Sequence, residues 1–185
     1  MEDTQIIDLF FARSEQAICE LDSKYGKVCH SLSWNILHDS LDVEECVNDA
    51  YLGTWNAIPP KRPNPLLAFV CKIVRNLSIA RYRANTAMKR NSTFTLALEE
   101  IEECLASPVT VEDEIAHKEL VAAIEGFLDS LSAENRVIFL RRYWFADSYH
   151  EIARKVGLTE KNVSMRLSRL RRQLKTHMEQ QGVLS

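Results

Sequence analysis

The sequence predicts an all-α protein made of two small helical domains joined by an acidic linker, the second domain containing a helix-turn-helix. Apolar residues recur at helical spacing almost throughout, as in Ile7, Phe10, Phe11, Ala17, Ile18, Leu21 and Tyr25. No stretch shows sustained alternation bounded by turn dipeptides, so strands are not expected. Charge, finally, falls into blocks of opposite sign that divide the chain.

Composition narrows the function. The net charge of −3 over 185 residues gives no bulk reason for nucleic-acid binding, so any such role must come from local clustering. The five cysteines, Cys19, Cys29, Cys46, Cys71 and Cys104, contain no Cys-x-x-Cys pair and follow no signal-like leader, which fits reduced packing thiols. His30, His38, His117, His150 and His177 are scattered and suggest no metal set. With no glycine-rich phosphate loop or nucleophile motif, the chain reads as neither enzyme nor cofactor binder, and no small-molecule substrate is implied. No apolar run is long enough to span a bilayer, and the expected location is cytoplasmic.

In the first domain, expected over 1–91, "LDVEECVNDAYLGTWNAI" puts Val43, Cys46, Val47, Ala50, Tyr51, Thr54, Trp55 and Ile58 on one helical face. Asp42, Glu45, Asn48, Asp49 and Asn56 occupy the other, with Leu52 in their midst. A leucine ringed by acids suits a protein interface, although a single exposed leucine is also ordinary. Next comes the stiff loop "PPKRPNPL", with Asn64 at its centre. The helix "LLAFVCKIVRNLSIARYR" then buries Leu66, Phe69, Val70, Ile73, Leu77 and Ala80, leaving Lys72, Arg75, Asn76 and Arg83 on another side. From Lys61 to Arg90 there is no acidic residue. A rigid loop beside a cationic helix suits capture of an unstacked base; the plainer reading is a helix connection stiffened by proline.

The sign then reverses. "LEEIEECLASPVTVEDE", broken at Ser107-Pro108, places an acidic linker at about 92–110, and helical periodicity resumes in "IAHKELVAAIEGFLDSL" within a second domain over 111–185. Near its end, "SYHEIARKVGLTEKNVSMRLSRLRRQLK" opens on a Ser148/Glu151 capping box, and Gly157 closes the first helix in a left-handed conformation. Thr159 caps a second helix with the stripe Val163, Leu167, Leu170 and Leu174. Two helices on a tight glycine turn make a helix-turn-helix. Lys161, Asn162, Met165, Arg166, Arg169 and Arg172 lie away from the stripe, where arginines can meet guanine edges and phosphates in a major groove. A solvated basic face is the alternative. His150-Glu151 lacks the second histidine of a zinc helix.

Taken together, these residues resemble the extracytoplasmic-function sigma factors of bacteria, which keep only regions two and four of a sigma factor. "DVEECVNDAY" is similar to the family's Asp-Ala-Glu-Asp-Leu-Val-Gln-Glu-Ala-Phe, and "FVCKIVRNLSIARYR" to its Trp-Leu-x-x-Ile-Ala-x-Asn block. Leu131, Arg136, Glu151-Ile152-Ala153, Gly157 and "MRLSRLRRQL" are similar to region four. The resemblance implies that Asp42, Glu45, Asn48, Asp49 and Leu52 meet the clamp helices of the largest subunit of core RNA polymerase. It implies that Asn64, Lys72, Arg75, Asn76 and Arg83 hold the melted minus-ten strand. Lys161, Asn162, Met165, Arg166, Arg169 and Arg172 would read the minus-35 element. Further implied partners are the flap of the second-largest subunit, promoter DNA, and an anti-sigma factor that can hold the protein at the inner face of the membrane. On the same basis the linker threads through polymerase toward the RNA path; otherwise it is a solvated tether.

Departures are specific. Asn48 stands for glutamine, Phe69 for tryptophan and Ala80 for aspartate, so a local ion pair of region two is expected to be missing. Lys161-Asn162 and Ser164-Met165 replace the commoner Gly-Thr and Lys-Ser, so the promoter sequence does not transfer. The rival reading is an autonomous dimeric helix-turn-helix regulator with an N-terminal sensing domain, which leaves the acidic face at 42–58 and the acid-free block unexplained.

Overall fold

A computed structural model of the chain describes residues 1–85, 93–105 and 114–183, the last segment with side chains from residue 118. Among the described residues every regular element is an α-helix, and the chain divides into two compact units, Met1–Ser92 and Thr93–Ser185. None of these helices is long and apolar enough to cross a membrane.

The first unit contains α1 (Asp3–Phe11), α2 (Gln16–Leu37), α3 (Ser40–Ala57) and α4 (Leu66–Ala84). Its core is built from Ile6 and Phe10 of α1, Leu21, Cys29, Leu32 and Ile36 of α2, Val43, Cys46, Val47 and Ala50 of α3, and Leu66, Val70 and Val74 of α4. Burying each large aliphatic side chain contributes about 1.5–3 kcal/mol. Local chemistry sets the α2–α3 corner: His38 turns left-handed at φ 54°, and the Asp39 carboxylate accepts from the Leu41 and Asp42 N–H groups, both at 3.1 Å. Asp3 pins α1 by accepting from Lys24 Nζ (2.7 Å), the Tyr25 hydroxyl (2.5 Å) and the Leu66 N–H (3.3 Å). Burial pushes the Asp3 carboxyl up, but the hydrogen bonds from Lys24 and Tyr25 outweigh it and leave the group below its ordinary value. Gly26 leaves room for the Asp22 carboxylate, which accepts from the Tyr51 hydroxyl at 2.7 Å and would have to shift to admit a Cβ there.

The α3 apolar face is the one expected, except that Trp55 is only half-buried. The α4 stripe differs. Leu66 and Val70 are buried as expected, but the rest of the buried set is Cys71, Val74 and Ser78, while Phe69, Ile73 and Leu77 are half-buried and Ala80 is exposed. The reason is that α4 packs against both α2 and α3, so its hidden face is set by the line where two neighbours meet. Ser78 tolerates this place because its hydroxyl donates to the Ser33 hydroxyl at 2.9 Å.

The second unit contains α5 (Thr93–Leu105), α6 (Glu114–Ser130), α7 (Ala133–Tyr143), α8 (Tyr149–Val156) and α9 (Glu160–Gln180). The helix-turn-helix is α8 and α9, with the expected caps. Ser148 Oγ accepts from the Glu151 N–H at 3.2 Å while the Glu151 carboxylate accepts from the Ser148 N–H at 2.8 Å. Gly157 has φ 71°, and Thr159 Oγ1 accepts from the Asn162 N–H at 3.2 Å. Ile138, Ile152, Ala153, Val163 and Leu167 form one apolar cluster beneath the motif; Ala123, Phe127, Phe139, Leu170, Leu174 and Met178 form a second.

The acidic segment is where the chain departs most from expectation. A linker over 92–110 was expected, yet α5 begins at Thr93 and packs on α7 and α9 as part of the second unit. Phe94 and Ala97 are buried, and Ile101 and Leu105 pack against the second apolar cluster. Four apolar positions at helical spacing hold the segment down, and its glutamates conceal that stripe from a reading by charge. Ser107-Pro108 and the remainder of the expected linker lie outside the described residues, as do Lys89 and Arg90 of the acid-free block.

Candidate protein-binding and nucleic-acid surfaces

The polar side of α3 is open. Leu52 is 57% exposed, and Glu45, Asn48 and Asp49 surround it in solvent. Leu41, 76% exposed, continues the same line, since positions 41, 45, 48 and 52 fall within about 60° at 100° per residue. Its signal was present in the sequence, one residue before the acidic pattern begins. Asp42 is less free: the Asn85 amide donates to it at 2.9 Å, and Arg81 pairs with both Asp42 (3.5 Å) and Glu45. Arg81 thus joins α4 to α3 through a pair of carboxylates, an ion pair of the opposite sign arrangement from the one an aspartate at position 80 would make. The Glu45 carboxylate raises the Arg81 guanidinium further above its ordinary value.

On α4, Lys72, Asn76 and Arg83 form an exposed line at i, i+4 and i+11, about 16 Å long at 1.5 Å per residue. Arg75 stands beside it half-buried, and burial pushes its guanidinium down. Asn64 is exposed on the loop that leads into α4. Not every cation of the acid-free block is available: Arg62 pairs with Asp8 at 2.9 Å and covers the Phe11 ring at 4.1 Å from its centroid.

On α9, Lys161, Asn162, Met165, Arg169 and Arg172 are exposed opposite the buried stripe. Arg166 is partly engaged, its Nη1 lying 2.5 Å from the Glu134 carboxylate at the start of α7. His150 pairs with Glu160 at 2.8 Å across the turn, joining α8 to α9.

Behind the helix-turn-helix lies a polar hub that sequence reading missed. Glu100 of α5 accepts from Arg142 through Nη2 (2.7 Å) and Nε (3.2 Å), from the Tyr149 (2.7 Å) and Tyr143 (3.1 Å) hydroxyls, and from Arg171 Nη1 (3.1 Å). Arg142 is only 3% exposed, donates also to the Asp147 carbonyl at 3.1 Å, and lies 4.8 Å from the Tyr149 ring centroid. Burial raises the Glu100 carboxyl, but the donors from Arg142 and Tyr149 outweigh it and hold the group below its ordinary value. A carboxylate at Glu100 between Ala97 and Ile101 was the available signal; its distant partners in α7, α8 and α9 were not.

The first unit thus carries an acid-rimmed exposed leucine on α3 and a basic line on α4, and the second a helix-turn-helix whose α9 turns a basic face outward. Residues 21–88 match the model of Sigma-70 region 2, and residues 122–174 match that of Sigma-70, region 4. These two matches, in order, span about two thirds of the chain, which belongs to the sigma-70 family and is a sigma factor: a non-catalytic subunit that binds core RNA polymerase and directs promoter-specific initiation. Among solved structures, the chain is similar to CnrH in the structure of CnrH in complex with the cytosolic domain of CnrY, at 19% identity and a TM-score of 0.44, over 96% of this chain and 97% of that one. A search of curated proteins finds no match.

Proposed function

We propose that the chain is a sigma factor of the extracytoplasmic-function type, acting in the cytoplasm through regions two and four alone. The α3 face of Asp42, Glu45, Asn48, Asp49 and Leu52 meets the clamp helices of the largest polymerase subunit. Lys72, Arg75, Asn76 and Arg83, with Asn64 on the adjoining loop, hold the melted minus-ten strand. Lys161, Asn162, Met165, Arg166, Arg169 and Arg172 read the minus-35 element, and the second unit also meets the flap of the second-largest subunit. An anti-sigma factor restrains the protein by covering these surfaces. The observation that carries the reading is Leu52, 57% exposed on a helix whose opposite face is buried, inside the matched region 2.

The chemistry follows from the charges. Phosphates attract the basic lines on α4 and α9, and base edges are read by the side chains nearest the groove. Arg166 joins by exchanging the Glu134 carboxylate for DNA. Melting is supported by trapping bases once they unstack, which requires no covalent step. An acidic protein can do this because its acidic face meets the enzyme while its basic faces meet DNA.

Run-off transcription with purified core polymerase on fragmented host DNA tests the proposal. Discrete start sites that share two upstream elements, and vanish without the protein, are expected. No starts, together with protection of a palindromic site by the protein alone, would instead establish an autonomous dimeric regulator.

A further inference from the structure

Two of the cysteines meet inside the first unit. Cys29 of α2 and Cys71 of α4 are free, 0% and 2% exposed, and their thiols hydrogen-bond to each other. The register of the two helices brings them together: Asp3 accepts from both Tyr25 and Leu66 before the pair, and the Ser78 hydroxyl donates to Ser33 at 2.9 Å beyond it. The Tyr51 hydroxyl of α3 also contacts Cys29. The other thiols are placed differently. Cys46 is buried on α3, Cys104 donates to the Arg171 carbonyl at 2.9 Å, and Cys19 is exposed.

The two sulfurs of the pair are not equivalent. The hydrogen bond with Cys71, together with burial, pushes the Cys29 thiol up, whereas the same hydrogen bond holds the Cys71 thiol below its ordinary value against the effect of burial. Cys71 thus reaches the nucleophilic thiolate state first, and Cys29 stays a thiol with a proton to give. A solitary buried cysteine can be oxidised onward to an acid, which leaves a charge in the core. One with a thiol beside it can stop at a disulfide, which suits apolar surroundings.

We propose that Cys29 and Cys71 form a redox pair that a small peroxide converts to a disulfide, stapling α2 to α4 next to Lys72, where the exposed line of α4 begins. The Cys71 thiolate attacks one peroxide oxygen, the O–O bond breaks, and a sulfenic acid forms while the departing hydroxide takes up the proton that Cys71 released. The Cys29 sulfur then attacks the Cys71 sulfur: the S–S bond forms, the S–O bond breaks, and the Cys29 proton leaves with the hydroxide as a second water. The two thiols lose two electrons and the peroxide gains them. Burial restricts the oxidant to a small neutral molecule and makes the reaction slow. None of these steps depends on the polymerase reading above.

The native full-length chain, treated with graded hydrogen peroxide and alkylated after unfolding, tests the pair, with the exposed Cys19 as internal reference. Peptide mass spectrometry should find two peptides joined through Cys29 and Cys71, and dithiothreitol should return both to free thiols. The linked protein should unfold several degrees above the reduced one, because the cross-link restricts the unfolded chain. Cys29→Ala leaves Cys71 without its resolving partner and should accumulate the sulfinic acid at Cys71 instead. If Cys29 and Cys71 both stay free at peroxide levels that exhaust Cys19, the proposal is overturned and the two are packing residues only. Joining of either to Cys46 in place of the other would overturn it equally, as would a linked protein that unfolds at a lower temperature than the reduced one.

Discussion

On α3, Glu45 and Asp49 face solvent and Leu52 stands among them; on α5, Glu100 turns inward to five donors from Arg142, Arg171, Tyr143 and Tyr149. Both helices are acidic and amphipathic, and both read alike as charge blocks. The difference lies in what each acid meets. On α3, among the described residues, Glu45 pairs with the partly exposed Arg81, an ion pair of small net worth that leaves the face in solvent. The second unit holds a buried guanidinium that is tolerable only if a carboxylate covers it. An acidic run therefore signals an outward surface only where the protein's own fold presents no cation deficient in charge.

The largest expected effect comes from breaking the inward case. Arg142→Ala leaves Glu100 without its principal partner and is expected to destabilise the second unit by about 3–5 kcal/mol, read as an early unfolding transition in thermal denaturation. The same hub has a pH signature. Because the folded Glu100 carboxyl lies below its ordinary value, its contribution is present above the unfolded value near 4.3 and is lost as pH falls through the folded value. The second unit should thus weaken below about pH 4, and Glu100→Gln should flatten that part of the profile.

The outward case predicts the opposite separation of stability from binding. Glu45→Lys with Leu52→Lys should reduce core-polymerase affinity on the order of a hundredfold while unfolding free energy changes by less than about 1 kcal/mol. Native affinity in that variant would remove α3 from the interface. A smaller effect is expected at the recognition helix: Arg169→Ala should lose about 1–3 kcal/mol of minus-35 discrimination, measured by binding to wild-type and altered promoters, with core binding kept. Smallest is Ser148→Ala, which removes one half of a capping box and should cost about 1 kcal/mol in melting experiments without changing promoter preference.

Much of this was legible in the residues because it depends on neighbours in sequence. Helical spacing, the Ser148/Glu151 box, the left-handed Gly157, the Thr159 cap and the outward set on α9 all rest on interactions within about one or two turns. The exposure of Leu52 followed in the same way, from the apolar face opposite it. The α4 stripe was read less well, because a helix wedged between two others buries a line that its own periodicity does not choose, and Ser78 could be placed there only once Ser33 was seen to face it.

By itself, then, the sequence determined the helical class, the two-part plan, the helix-turn-helix with its caps, and which side chains a lone helix would turn outward. Only the tertiary structure decided that α5 belongs to the second unit, that Glu100 gathers Arg142, Arg171, Tyr143 and Tyr149, and that Arg81 ties Asp42 and Glu45 to α4. The physical reason is range: caps and amphipathic faces are settled over a few residues, whereas Glu100 meets partners 42 to 71 positions away, and a charge's role depends on which opposite charge packing leaves within about 3 Å of it.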